Sequence, residues 1–145
     1  MNTGTRIRDQ LRRNAVALIS LVIAITSLTY NTWRNEASEH NRNQRLISIE
    51  VLRDLGDLQQ VIYHNAWDMD VSGKGNPRTG WVYVLNIRDL GQLLDGDVST
   101  SAAVLFRTWD TAWADLGPDN DSYRAIIDAL ENVRADTHAL LRDLD

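Results

Sequence analysis

Apolar residues are spread along this chain in three successive patterns. From Ala15 to Tyr30 the sequence AVALISLVIAITSLTY holds sixteen residues without a charge, a Gly or a Pro. No polar stripe divides Ala15 to Leu28, so a helix here is apolar on every side. From Arg34 to Arg45, RNEASEHNRNQR, the pattern inverts, and Ala37 is the only clearly apolar residue. From Leu46 to Trp67 it becomes amphipathic. Val51, Leu55, Leu58 and Ile62 recur at steps of four, three and four, which predicts a helical stripe.

Residues 5 through 55 contain neither Gly nor Pro. The three patterns therefore predict one unbroken helix, an apolar span running into a polar stalk and then into the first helix of a folded domain. Gly56 lies inside the amphipathic stretch and weakens it by about 1 kcal/mol relative to Ala.

The loop Asp68 to Gly80 carries three glycines, a proline and four charges. A second helix is expected from Thr79 or Gly80, with Val84, Leu85, Ile87, Leu90 and Leu94, ending at Asp95-Gly96-Asp97. A third starts near Ser99 to Ser101 and carries Ala102, Leu105, Phe106, Trp109, Trp113 and Leu116. It stops at Gly117-Pro118, where Gly suits a left-handed C′ position. A fourth opens at Asp119 or Asp121 and carries Ile126, Ile127, Leu130, Val133, Leu140, Leu141 and Leu144. Asp97, Asp119 and Asp121 stand where caps are wanted. The expected fold is all-α: a transmembrane helix continuing into a long stalk helix, then three shorter helices completing a small antiparallel bundle.

A bilayer core takes about 20 helical residues, with roughly 17 as the lower limit. The span reaches that length once Asn31, Thr32 and the belt aromatics Tyr30 and Trp33 are included. A secretory signal would end on a small-x-small site. Here the end is Leu28-Thr29-Tyr30-Asn31, so a retained anchor is expected. The expected divisions are a basic tail 1–14, an anchor 15–33, a stalk 34–45 and an acidic helical domain 46–145.

Charge sets the expected orientation. Residues 1–34 hold five Arg and one acid, for +4, while residues 35–145 hold ten basic and nineteen acidic residues, for −9. The positive-inside bias puts the N-terminal tail in the cytoplasm and the domain outside it, in a bacterium the periplasm, with the inner membrane as location. Arg12, Arg13, Tyr30, Trp33 and Arg34 are the expected membrane-interface residues. The acidic domain argues against nucleic-acid binding, which rests on neutralising phosphates.

The sequence offers no catalytic, cofactor-binding or metal set. There is no Cys, which removes thiolate catalysis and Cys-based metal sites. His40, His64 and His138 are far apart, and only His64 and Asp68 share a helical face. Asp95 and Asp119 open calcium-like runs, but neither has Gly at position six or Glu at twelve. Ser72-Gly-Lys-Gly-Asn76 lacks the first Gly and the final hydroxyl of a phosphate loop.

What remains is aromatic. Trp109 and Trp113 lie on one helical face and are expected in the core. Trp67, Trp81 and Tyr83 flank the first loop and are candidates for partner or ligand contact. The expected function is non-enzymatic: an accessory subunit whose anchor and stalk pack against another membrane protein or against copies of itself. The alternative is a ligand-sensing bundle that takes a polar or cationic small molecule among those aromatics. An enzyme is a distant third.

Overall fold

The computed structural model describes residues 10 and 14–144, and their regular structure is helical, with no strand among them. Helix α1, Ala15–Ala66, is a single helix of 52 residues. The absence of Gly and Pro across its first forty positions explains why nothing interrupts it. Three shorter helices follow: α2 at Pro77–Gly91, α3 at Val98–Ala112 and α4 at Asp121–Asp143.

Helix α2 begins earlier than the apolar pattern suggests, because Asn76-Pro77 is a start signal. The Asn76 side chain accepts a hydrogen bond from the Arg78 backbone N–H at 2.9 Å, and Pro77 fills the first helical position. There the missing N–H costs nothing.

The other ends also depart from expectation. Asp97 precedes α3 but makes no side-chain cap bond. The third helix does not run on to Leu116: it tightens into a 3-10 turn at Trp113–Asp115, after which Leu116 is extended. Gly117 does not supply a left-handed turn. Asp119 does, at φ 53°, a conformation an Asp tolerates better than most side chains. The cap of α4 is then Asn120, which accepts from the Tyr123 N–H at 2.8 Å. Among the described residues, only in the Asp95-Gly96-Asp97 turn does a glycine take the left-handed role, Gly96 at φ 71°.

The chain forms two units, divided between His40 and Asn41. In the first, every residue from Val16 to His40 is exposed. The second is built on one buried apolar cluster drawn from all four helices. It takes Val51, Leu55, Leu58 and Ile62 from α1, Val84 and Ile87 from α2, Ala102, Leu105 and Trp109 from α3, and Ile126, Leu130 and Val133 from α4. Gly80 exists for this core. A methyl group at that position would run into the Trp109 ring, so the indole is fully buried against bare backbone.

The folded unit begins inside the segment assigned to the stalk. Gln44 is buried, its Nε2 donating to the Leu93 carbonyl at 3.0 Å and its Oε1 accepting from the Asp95 N–H at 3.0 Å. Arg45 donates through Nη2 to the Leu144 carbonyl at 2.6 Å. These bonds satisfy backbone groups at the C-terminal ends of α2 and α4, which a helix leaves without internal partners.

Candidate functional site

Three features of the molecule have functional potential: the apolar part of α1, the aromatic positions, and a cavity beside the first loop.

The apolar part of α1 is long and apolar enough to cross a membrane, and none of it is buried. Val16, Leu21, Ile23 and Leu28 all stand in the open. Its hydroxyls are satisfied within the helix. Ser20 donates to the Val16 carbonyl and Thr26 to that of Val22, both at 2.8 Å. Thr29 donates to Ile25 at 2.9 Å and Thr32 to Leu28 at 3.0 Å. A hydroxyl bonded to the carbonyl four residues back presents no unmet donor to its surroundings. Tyr30 and Trp33 close the segment as a ring pair with centroids 6.2 Å apart. Arg34 is exposed beyond them. Arg12 and Arg13 lie outside the described residues.

The three aromatics flanking the loop do not form one cluster. Trp67 is exposed and meets Tyr123 edge-on at 6.2 Å. Trp81 is half-buried between Phe106 at 5.9 Å and Trp113 at 6.5 Å. Arg88 lies over the same Phe106 ring, 4.8 Å from its centroid. Tyr83 takes no part in either group. Two residues after Trp81 on α2, it points about 200° away around the helix and lines the cavity instead. Trp109 is core, and Trp113 packs on its edge.

That cavity, about 260 Å³, is lined by Asp57, Gln60, Val61, His64, Lys74, Thr79 and Tyr83. Its walls are held from two sides. Asp68, just past the end of α1, accepts through Oδ2 from His64 Nδ1 at 2.6 Å. The loop is pinned by Asp70, whose carboxylate accepts from the Gly73 and Lys74 N–H groups at 2.8 and 2.9 Å. Buried Asn65 donates to the Gly75 carbonyl at 2.9 Å. The result is a recess with charges of both signs. Among the described residues no three His, Cys, Asp or Glu side chains gather closely enough to hold a metal ion.

Asp54 was not visible as special in the sequence. It is buried on α1, and burial pushes its carboxyl above the ordinary value, helped by the charges of Glu50 and Asp57. A hydrogen bond from the Asn86 side chain and the charge of Arg53 oppose this. Gln44 was also missed, for a clear reason: its partners are 49 and 51 residues away, and nothing local marks it out from the other polar residues nearby.

Comparison with known proteins gives no match to a family, a curated protein or a solved structure.

Proposed function

We propose that this is a non-enzymatic single-pass membrane protein, an accessory or interaction subunit of a larger membrane assembly or of a homo-oligomer. The N-terminal tail lies in the cytoplasm, α1 crosses the inner membrane between Ala15 and Trp33, and α1 to α4 form a small antiparallel bundle on the far side. One observation carries the reading. The apolar segment of α1 presents bulky side chains all round, with none of them buried, while the core of the second unit is complete without it. Such a surface in water exceeds what a soluble monomer tolerates. In a bilayer it needs no other cover, and its backbone and hydroxyl groups are already bonded. The arginines on the tail side support the orientation.

Alkaline carbonate extraction tests the anchor: the full chain should stay with the membrane pellet, and recovery in the supernatant rules the reading out. A reporter fused after Asp145 tests orientation and should be active only in the extracytoplasmic compartment. Detergent extraction followed by pull-down tests the accessory role, for which a strictly monomeric species without a companion would be the opposing result.

A second reading, ligand sensing, draws support from the cavity at Tyr83. Asp57 and Lys74 on its wall suit a small molecule bearing an amine or a carboxylate. This moves the expected ligand contact away from Trp67 and Trp81. Tryptophan and tyrosine fluorescence titrated with a metabolite panel tests it, and a flat response across the panel removes it.

A further inference from the structure

One side of α1 within the second unit has no role in the core. Positions 42, 46, 49, 53, 56, 60 and 63 follow alternating steps of four and three, and they are Arg42, Leu46, Ile49, Arg53, Gly56, Gln60 and Tyr63. All but Gly56 are exposed, Leu46 at 56% and Ile49 at 57%. At 100° per residue this row lies opposite Val51, Leu55, Leu58 and Ile62, which are buried.

Gly56 is the most informative member. It sits in the interior of a long helix, where Gly is disfavoured. Its backbone does not require a left-handed conformation, and a methyl group there would meet nothing within 4 Å. Nothing inside the fold explains why the residue is not Ala. A glycine on an outward helix face admits the close approach of a second backbone.

We infer that this row is a seam on which a second copy of the chain packs in parallel and in register. The inference rests on the anchor reading, because two chains anchored the same way in one membrane present α1 in the same direction. Charge opposes a like copy least at this face. Residues 41–145 hold ten basic and seventeen acidic side chains, so two domains repel each other over most of their surface. The seam carries Arg42 and Arg53 with Glu50 beside them, a strip without the acid excess of the rest, in which Arg53 contacts Glu50 at 3.5 Å. In a parallel pair with this spacing, a flanking residue faces the residue five positions on in the other chain. Arg45 then faces Glu50 of the second copy. Its guanidinium has five donors, enough to keep the bond to Leu144 as well. Counted back in sevens along the sequence, Leu46 and Ile49 pass through the polar pairs Glu39 and Arg42, then Thr32 and Asn35, to reach Ile25 and Leu28, and then Leu18 and Leu21. The exposed heptad positions of the span are thus apolar too. Three polar residues in the seam, Arg42, Arg53 and Gln60, make the pairing modest by itself. Confinement in one bilayer raises the local concentration that it needs.

The chain has no cysteine, so each introduced one reports alone. Membranes holding the full chain with Leu46→Cys or Ile49→Cys are oxidised and run without reductant, with Val82→Cys and Val104→Cys, exposed on other helices, as controls. The seam variants should give a band at twice 16.4 kDa, several-fold stronger than the controls. Adding Gly56→Ala to Ile49→Cys should cut that band several-fold. Unfolding cannot mimic that loss, because the substitution favours the helix and fills open space. A seam band no stronger than the controls, in protein that resists carbonate extraction, overturns the pairing and leaves the anchor standing. Protein found in the soluble fraction overturns both. A seam adduct at any other mass overturns it too, and assigns the face to a different protein.

Discussion

The two ends of α1 use the same residue types with opposite results. Leu21 is 57% exposed, and Leu55, one helix and thirty-four positions later, is fully buried. Hydrophobicity of the single residue does not distinguish them. Its distribution round the helix does. Before Trp33 the apolar side chains point in every direction, so no single neighbour could cover them. After Gln44 the stripe Val51, Leu55, Leu58 and Ile62 occupies one side, with Leu46, Ile49, Arg53 and Gln60 on the other, and three short helices suffice to cover the stripe. A stripe makes a helix part of a soluble core. A full cylinder of this length makes it a helix long and apolar enough to cross a membrane.

Four substitutions, with Leu21→Ala and Glu36→Leu as controls, test this contrast, from the largest effect to the smallest. Leu55→Ala leaves a void in the core and should cost the domain about 2–5 kcal/mol, read by urea denaturation in detergent. Leu21→Ala should change the same measurement by no more than about 0.5 kcal/mol. Equal losses would remove the distinction between the two ends. Ile23→Arg should do the reverse. A charge at the centre of a span costs about 2.5–3.5 kcal/mol of insertion, so the chain should shift towards the supernatant in fractionation while the domain's melting temperature stays unchanged.

Gln44→Leu marks where the second regime begins. It leaves the Leu93 carbonyl and the Asp95 N–H without their partner and should cost about 1–3 kcal/mol. Glu36→Leu, on the exposed stretch before it, should cost nothing measurable. If the two behave alike, the folded unit starts later than Asn41. Asp54→Asn should have the smallest effect and the opposite sign. Burial raises the Asp54 pKa, so the fold favours the protonated carboxyl. Stability is therefore fully present below the ordinary carboxylate value and is lost as pH rises through the raised one. Asn keeps a side chain able to bond Asn86 and does not ionise. The variant should melt higher than the parent at pH 7, with the gap closing towards pH 3. A constant gap across that range would show that ionisation of Asp54 is not the cause.

The amphipathic periods and the breakers made much of the fold legible. Val51, Leu55, Leu58 and Ile62 read as a core stripe and are one. The missing Gly and Pro before Gly56 read as one helix and form one. Helix ends were less legible. Asp119 and Asp121 both read as caps of the last helix by composition, and the backbone path chose Asn120 between them. The candidate contact residues were legible as types and not as a group. Trp67, Trp81 and Tyr83 sit close in sequence, yet their helix positions send them to Tyr123, to Phe106 and Trp113, and to the cavity.

Sequence alone determined the helical class, the long first helix, its uniformly apolar beginning and the charge contrast between the two ends of the chain. Those properties depend on local propensity, on period and on counting, and each is complete within a short window. Only the tertiary structure decided that Gln44 belongs to the folded unit, that Asp54 is buried, that Gly80 makes room for Trp109, and that Gly56 makes room for nothing in its own chain. Each of these depends on groups brought together from distant parts of the sequence. Burial, desolvation and free space are properties of that assembly and not of any residue in it.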